Sequence, residues 1–228
     1  MTVREVIKVL RQPSSAGKPD LSHHDLSGLD LAELDFKGAD LSNCYLFGAD
    51  FTGANLENVN LSHAVLDRTV LVRTRLSNAS LQDASLQRPS VFTDMTFDAR
   101  DAPSFRNTDL RRTRITARLD GTDFSGADLS DADFAPWTER DLGGAPVSGL
   151  AGCKFTKAKL VNTNLRGVSL TFADFREADL RGANLSETDL SRADLTGANL
   201  VDANITGAKI DGALGLESRA PHAGASVP

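Results

Sequence analysis

The sequence predicts an all-β solenoid, a chain wound into stacked coils, with one short helix closing its N-terminal end. Three observations predict it. Leu or Phe returns every five residues along most of the 228-residue chain. A small residue is favoured two positions before each of them. A spacing of five also sweeps successive leucines around a helix instead of along one face, so no helical apolar stripe survives.

The first run is Leu21, Leu26, Leu31, Phe36, Leu41, Leu46, Phe51, Leu56, Leu61, Leu66, Leu71, Leu76, Leu81 and Leu86. The last runs from Leu150 through Phe155, Leu160, Leu165, Leu170 and Phe175 to Ile205 and Ile210. The small residue is Ala39, Ala49, Ala54 and Ala64 in the first run, and Ala173, Ala178, Ala183 and Ala193 in the last. Asp or Asn lies between, as in Asp40, Asp50, Asn55, Asp174 and Asn184. Residues two apart on a strand point the same way, so the small residue and the Leu face inward and the Asp or Asn faces out. From one Leu to the next small residue is three steps, so alternation fails once per unit and the chain must bend there. A chain that bends every five residues with its Leu inside winds into a coil. Stacked coils hydrogen-bond each other at a spacing of about 4.8 Å, which satisfies the backbone around a continuous Leu/Phe interior.

The units Ala39-Asp-Leu-Ser-Asn43, Ala49-Asp-Phe-Thr-Gly53, Ala178-Asp-Leu-Arg-Gly182 and Ala193-Asp-Leu-Thr-Gly197 resemble the A(D/N)LXX motif of the pentapeptide-repeat family. The likeness runs from about Leu21 to Ile210. It implies a right-handed quadrilateral parallel β-helix with four pentads per coil. About nine coils would then make a rod on the order of 40 Å long.

Three segments are expected along the chain. Residues 1–20 form a helix and linker: Thr2 and Glu5 suit a capping box, and Val3, Val6, Ile7 and Leu10 share one face. That helix is read as a lid over the first coil, whose open end would otherwise expose core and strand edges. Residues 21–216 form the repeat, with loop interruptions near 87–104 and 135–149. Residues 217–228 read as a disordered tail.

Little points to catalysis. His23, His24, His63 and His222 stand at no metal-ligand spacing with Cys or with one another. Cys44 and Cys153 both occupy the small inward position and read as core filler. Asp and Ser recur because the repeat requires them. No enzyme activity, cofactor or metal is expected. No apolar run reaches the length of a membrane span, and residues 1–10 lack a signal-peptide pattern, so a cytoplasmic protein with no membrane partner is expected.

Charge is unevenly spread. The formal charge is −6, yet residues 61–118 hold ten Arg against six acids. This basic middle, with Arg68, Arg88, Arg111, Arg112 and Arg114, suits an acidic partner surface. The competing reading is that arginines relieve repulsion within ladders of stacked carboxylates. Arg68 and Arg88 are 20 residues apart, so four pentads per coil would stack them on one face. Trp137, the only Trp, lies in the second interruption with Glu139 and Arg140 and is read as an aromatic anchor.

The expected function is a non-catalytic scaffold presenting a rigid rod and loops to a protein partner whose identity the sequence leaves open, as it does the choice between monomer and homodimer. Direct nucleic-acid binding is not expected, because the net charge is negative and no aromatics interleave the basic patch. The family resemblance implies an alternative, a DNA mimic that binds a type II topoisomerase such as gyrase. The basic middle departs from the long acidic track such mimicry needs. A second alternative on the same resemblance is a cytoplasmic signalling regulator.

Overall fold

The five-residue rhythm sets the backbone locally. In each unit the inward Leu or Phe is followed by a two-residue turn, and the N–H of the next small residue bonds back to the inward residue's carbonyl. Ala39 N to Phe36 O at 2.9 Å and Ala49 N to Leu46 O at 3.0 Å are two instances. The second turn residue has positive φ, as at Asn43 (59°), Gly48 (68°) and His63 (61°), which is the requirement of a type II turn. This is the bend that the failed alternation demands, and Gly, Asn and Asp are common there because they tolerate the left-handed region. The outward Asp or Asn has a second task. Its Oδ1 accepts the N–H of the first turn residue, at 2.8 Å from Thr52 N to Asp50 and 3.1 Å from Ser62 N to Asn60. The side chain thereby satisfies a donor that the turn leaves open.

The computed structural model describes residues 1–12, 17–36, 38–92, 98, 100–136 and 148–216. Across these residues the outward positions pair in parallel, one coil to the next, along four ladders. The first runs Asp20, Asp40, Asn60, Ser80, Asp109, Asp128, Lys159, Asp179, Asn199, nine rungs among the described residues. The second starts at Asp25 and Tyr45, the third at Asp30 and Asp50, the fourth at Asp35 and Asn55. Pairing partners are 20 residues apart, so four pentads complete a turn. Formal strands are few: β1, Ser85–Gln87, pairs in parallel with β2, Arg114–Thr116. Elsewhere a rung is a single bridged residue, because the turn follows at once.

The interval departs from 20 in one stretch. Along the fourth ladder it is 29 from Arg75 to Ser104, 19 from Ser104 to Asp123 and 31 from Asp123 to Lys154, before returning to 20 at Asp174. Additional chain therefore leaves the stack between Ser90 and Ser104, at the edge from the third ladder to the fourth, and between Asp133 and Gly149, at the edge from the second ladder to the third. Between them Arg114 to Arg118 is a unit one residue short. The stack re-forms in register after each.

Inside, the inward residues form columns. Leu21, Leu41, Leu61, Leu81, Leu110, Leu129, Leu160 and Leu180 are all fully buried. Beside the fourth ladder the column is aromatic: Phe105, Phe124, Phe155 and Phe175 stack with centroids 5.2, 5.1 and 4.8 Å apart and planes within 9°. At the N-terminal end α1, Val3–Leu10, carries the capping box of Thr2 and Glu5 and buries Val6 and Leu10 against the first coil. The Met1 amino group donates to the Asp25 carbonyl at 3.2 Å, covering one free acceptor of that coil. At the other end exposure climbs to 47% at Ile210 and 54% at Leu214. No described helix is long and apolar enough to cross a membrane.

Candidate partner-binding edge

The arginines of the middle coils fall into two groups. Arg111 lies beside Asp109 on the outer face of one pentad, 2.7 Å away. Arg112 reaches to the preceding coil and grips both oxygens of Asp83 at 2.6 and 2.8 Å. Arg114 pairs with Asp133 on the following coil, and Arg75, Arg100, Arg106 and Arg118 each meet a carboxylate. These are counter-charges within the ladders, where rungs about 4.8 Å apart would otherwise stack like charges. Arg68, Arg73 and Arg88 meet no carboxylate among the described residues.

The Asp83 site shows what such pairing does. The bidentate Arg112 bond holds the Asp83 carboxyl down at about 2, with Gln82 Nε2 donating to it as well, at 3.1 Å. A carboxyl lowered on folding contributes stability that is complete above the unfolded value of about 3.9 and fades as pH falls toward 2. Arg112→Ala is expected to return the Asp83 titration toward the ordinary carboxylate range, read by NMR. A midpoint still near 2 in that variant would show that Arg112 is not the cause.

Arg68 and Arg88 occupy the same turn position one coil apart, with φ of 58° and 53°. Both are exposed, on the edge between the second and third ladders. Below them that edge continues as Gly48 and Gly28, also at positive φ, where an added Cβ would meet nothing within 4 Å. On the adjoining face Tyr45 is 60% exposed and Phe47 48% exposed. The Arg68 guanidinium carbon lies 5.6 Å from the Phe47 ring centroid, a cation–π contact. Higher on the same edge the chain departs at Ala135 and Pro136: Arg114 donates to the Ala135 carbonyl at 3.4 Å, and Pro136 approaches the Gly167 turn of the next coil. Trp137, Glu139 and Arg140 lie outside the described residues, as do residues 217–228 of the expected tail.

Sequence reasoning singled out Arg68 and Arg88 but missed Tyr45 and Phe47. The signal was available. Tyr45 fills an outward position otherwise rich in Asp and Asn, and Phe47 fills a turn position otherwise rich in Ser, Thr and Arg.

Elsewhere the surface offers little chemistry. Concavities of about 420 and 510 Å³ lie beside α1, one lined by Arg4, Ile7, Lys8 and Arg11, the other including Glu5 and His24. No group of three or more His, Cys, Asp or Glu able to hold a metal occurs among the described residues. Cys44 and Cys153 are buried and free, and their thiols donate to the carbonyls of Leu21 and Leu119 at 2.9 and 3.0 Å. Burial pushes Cys44 up to about 11 and Cys153 further up, the opposite of what a reactive thiol needs.

No curated protein matches the sequence. Among solved structures the chain is similar to HetL, a pentapeptide repeat protein involved in heterocyst differentiation regulation from the cyanobacterium Nostoc sp. strain PCC 7120. That match has 25% identity, covers 93% of this chain and 96% of HetL, and has a TM-score of 0.41. It is also similar to QnrB1, a plasmid-mediated fluoroquinolone resistance protein, at 16% identity over 84% of this chain and 91% of that one, with a TM-score of 0.41. Rfr23, a pentapeptide repeat protein from the cyanobacterium Cyanothece 51142, matches at 22% identity over 72% and 90%, with a TM-score of 0.19. The family model for pentapeptide repeats matches in eight copies, over residues 19–48, 49–88, 104–135, 150–186 and 178–214. Those copies take in nearly all the paired rungs, and the chain belongs to the pentapeptide repeat family.

Proposed function

We propose that this chain is a non-catalytic scaffold that binds a protein partner through the edge between its second and third ladders, on a rod of the right-handed quadrilateral β-helix type. One observation carries the reading. The described surface is largely self-satisfied, its carboxylates bonded to turn N–H groups or to neighbouring arginines, whereas at this edge two exposed aromatics stand beside two arginines without carboxylate partners. Aromatic and Arg side chains are the residue types that dominate binding energy at protein interfaces. The segment holding Trp137, Glu139 and Arg140 belongs to the same proposal, since the chain enters it at Pro136 on this edge.

The test is comparative affinity capture from the native cell, with wild type and Tyr45→Ala/Phe47→Ala as baits, quantified by mass spectrometry. Both positions are exposed, so the variant is expected to keep the wild-type circular dichroism and melting temperature while losing at least tenfold of the best-enriched partner. Equal capture by both baits would remove this edge from the proposal.

A further inference from the structure

We infer that the edge Gly28, Gly48, Arg68, Arg88 takes an extended acidic segment of the partner protein, with an apolar or aromatic residue at one end of that segment. The inference rests on the scaffold reading and adds the partner's chemistry and polarity.

The edge is asymmetric along the rod. Its first two coils present bare glycine turns with open space above them, flanked by Tyr45 and Phe47. Its next two coils present guanidinium groups. A segment lying along the edge therefore meets an apolar notch first and a cationic stretch second. Arg68 is held by the Phe47 ring at 5.6 Å, which limits its rotamers before anything binds and lowers the entropy lost on docking. Other arginines of these coils, Arg111 and Arg112 among them, already have their carboxylates, so an incoming acid gains most at Arg68 and Arg88. Their stems start one coil apart, about 4.8 Å. Alternate side chains of an extended peptide are about 7 Å apart on one side. Two long arginines can splay to meet two such carboxylates, each through a planar fork that accepts both oxygens.

Display of a random 12-residue peptide library against the purified full chain tests this. Enriched peptides are expected to carry Phe, Tyr, Trp or Leu with two or more Asp or Glu within about four positions of it. Arg68→Glu/Arg88→Glu should weaken the best wild-type peptide about tenfold or more, and selection on that variant should favour Lys and Arg instead. Tyr45→Ala/Phe47→Ala should lose the apolar preference and keep the acidic one. Circular dichroism and the melting temperature, unchanged in both variants, show that the fold is intact. Neutral or basic peptides from wild type, no enrichment at all, or the same acidic peptides from the charge-reversed variant would each overturn the inference. So would Arg68- and Arg88-dependent binding of a 20-base-pair DNA duplex tighter than that of any selected peptide. A capture experiment sensitive to Tyr45 and Phe47 would still leave the scaffold reading standing in those cases.

Discussion

Phe124→Ala is expected to lower the unfolding free energy by about 3–5 kcal/mol. The ring is fully buried and lies between Phe105 and Phe155, nearly parallel to both, with Phe134 edge-on at 6.4 Å. Truncation removes the transfer free energy of the ring and opens a void that rings fixed on two adjacent coils cannot fill by sliding. The bridged rungs Asp109, Asp128 and Asp123, Lys154 hold those coils at their spacing. Phe124→Leu, which keeps most of the volume, should cost under about 2 kcal/mol. Equilibrium urea denaturation followed by circular dichroism checks both. A loss below about 1 kcal/mol for the Ala variant would mean that the aromatic column is not packed as described. Because coils touch only their neighbours, the transition of the Ala variant is also expected to broaden or split, the weakened interface dividing the rod into two folding units.

Val6→Asp is expected to lift the helical lid without melting the rod. Val6 has no exposed surface, and a carboxylate there would be buried with no partner, a cost of several kcal/mol that undocking avoids. The two cysteines make the outcome readable at two heights. Cys44 lies in the second coil, its thiol against the Leu21 carbonyl of the first, whereas Cys153 lies mid-rod. In the wild type both should resist a thiol reagent at pH 8, being buried and shifted away from the thiolate. In the Val6→Asp variant Cys44 labelling should accelerate at least tenfold while Cys153 labelling stays at the wild-type rate. Equal acceleration at both sites would mean that the lid supports the whole rod. No change at either would mean that it protects nothing.

The coil was legible in the sequence because one period served every level at once. The inward Leu, the small residue two before it and the outward Asp all obey the same count of five, so Leu41, Leu61 and Leu81 could be expected on neighbouring rungs. Three features were harder to read. The number of units per turn is invisible in a five-residue repeat, since any number keeps Leu inside; it entered through family resemblance. The turn geometry was partly written in Asn43, Gly53 and Gly182, but Arg68, Glu177 and Phe172 take the same left-handed conformation, held there by bonds between coils that local preference does not contain. The candidate edge needed the fold first. Only with the ladders in place does Arg112 find Asp83, 29 residues earlier, and only then do Arg68 and Arg88 stand out as lacking such a partner.

The bonds that join one coil to the next, such as Leu41 N to Asn60 O at 2.7 Å and Leu61 N to Ser80 O at 2.6 Å, point along the stack. Tension applied between its two ends would thus load each rung in turn instead of shearing all of them together. Under stretch the rod should peel like thread from a spool, releasing 20-residue loops of about 70 Å of contour each, beginning at whichever end is less firmly covered.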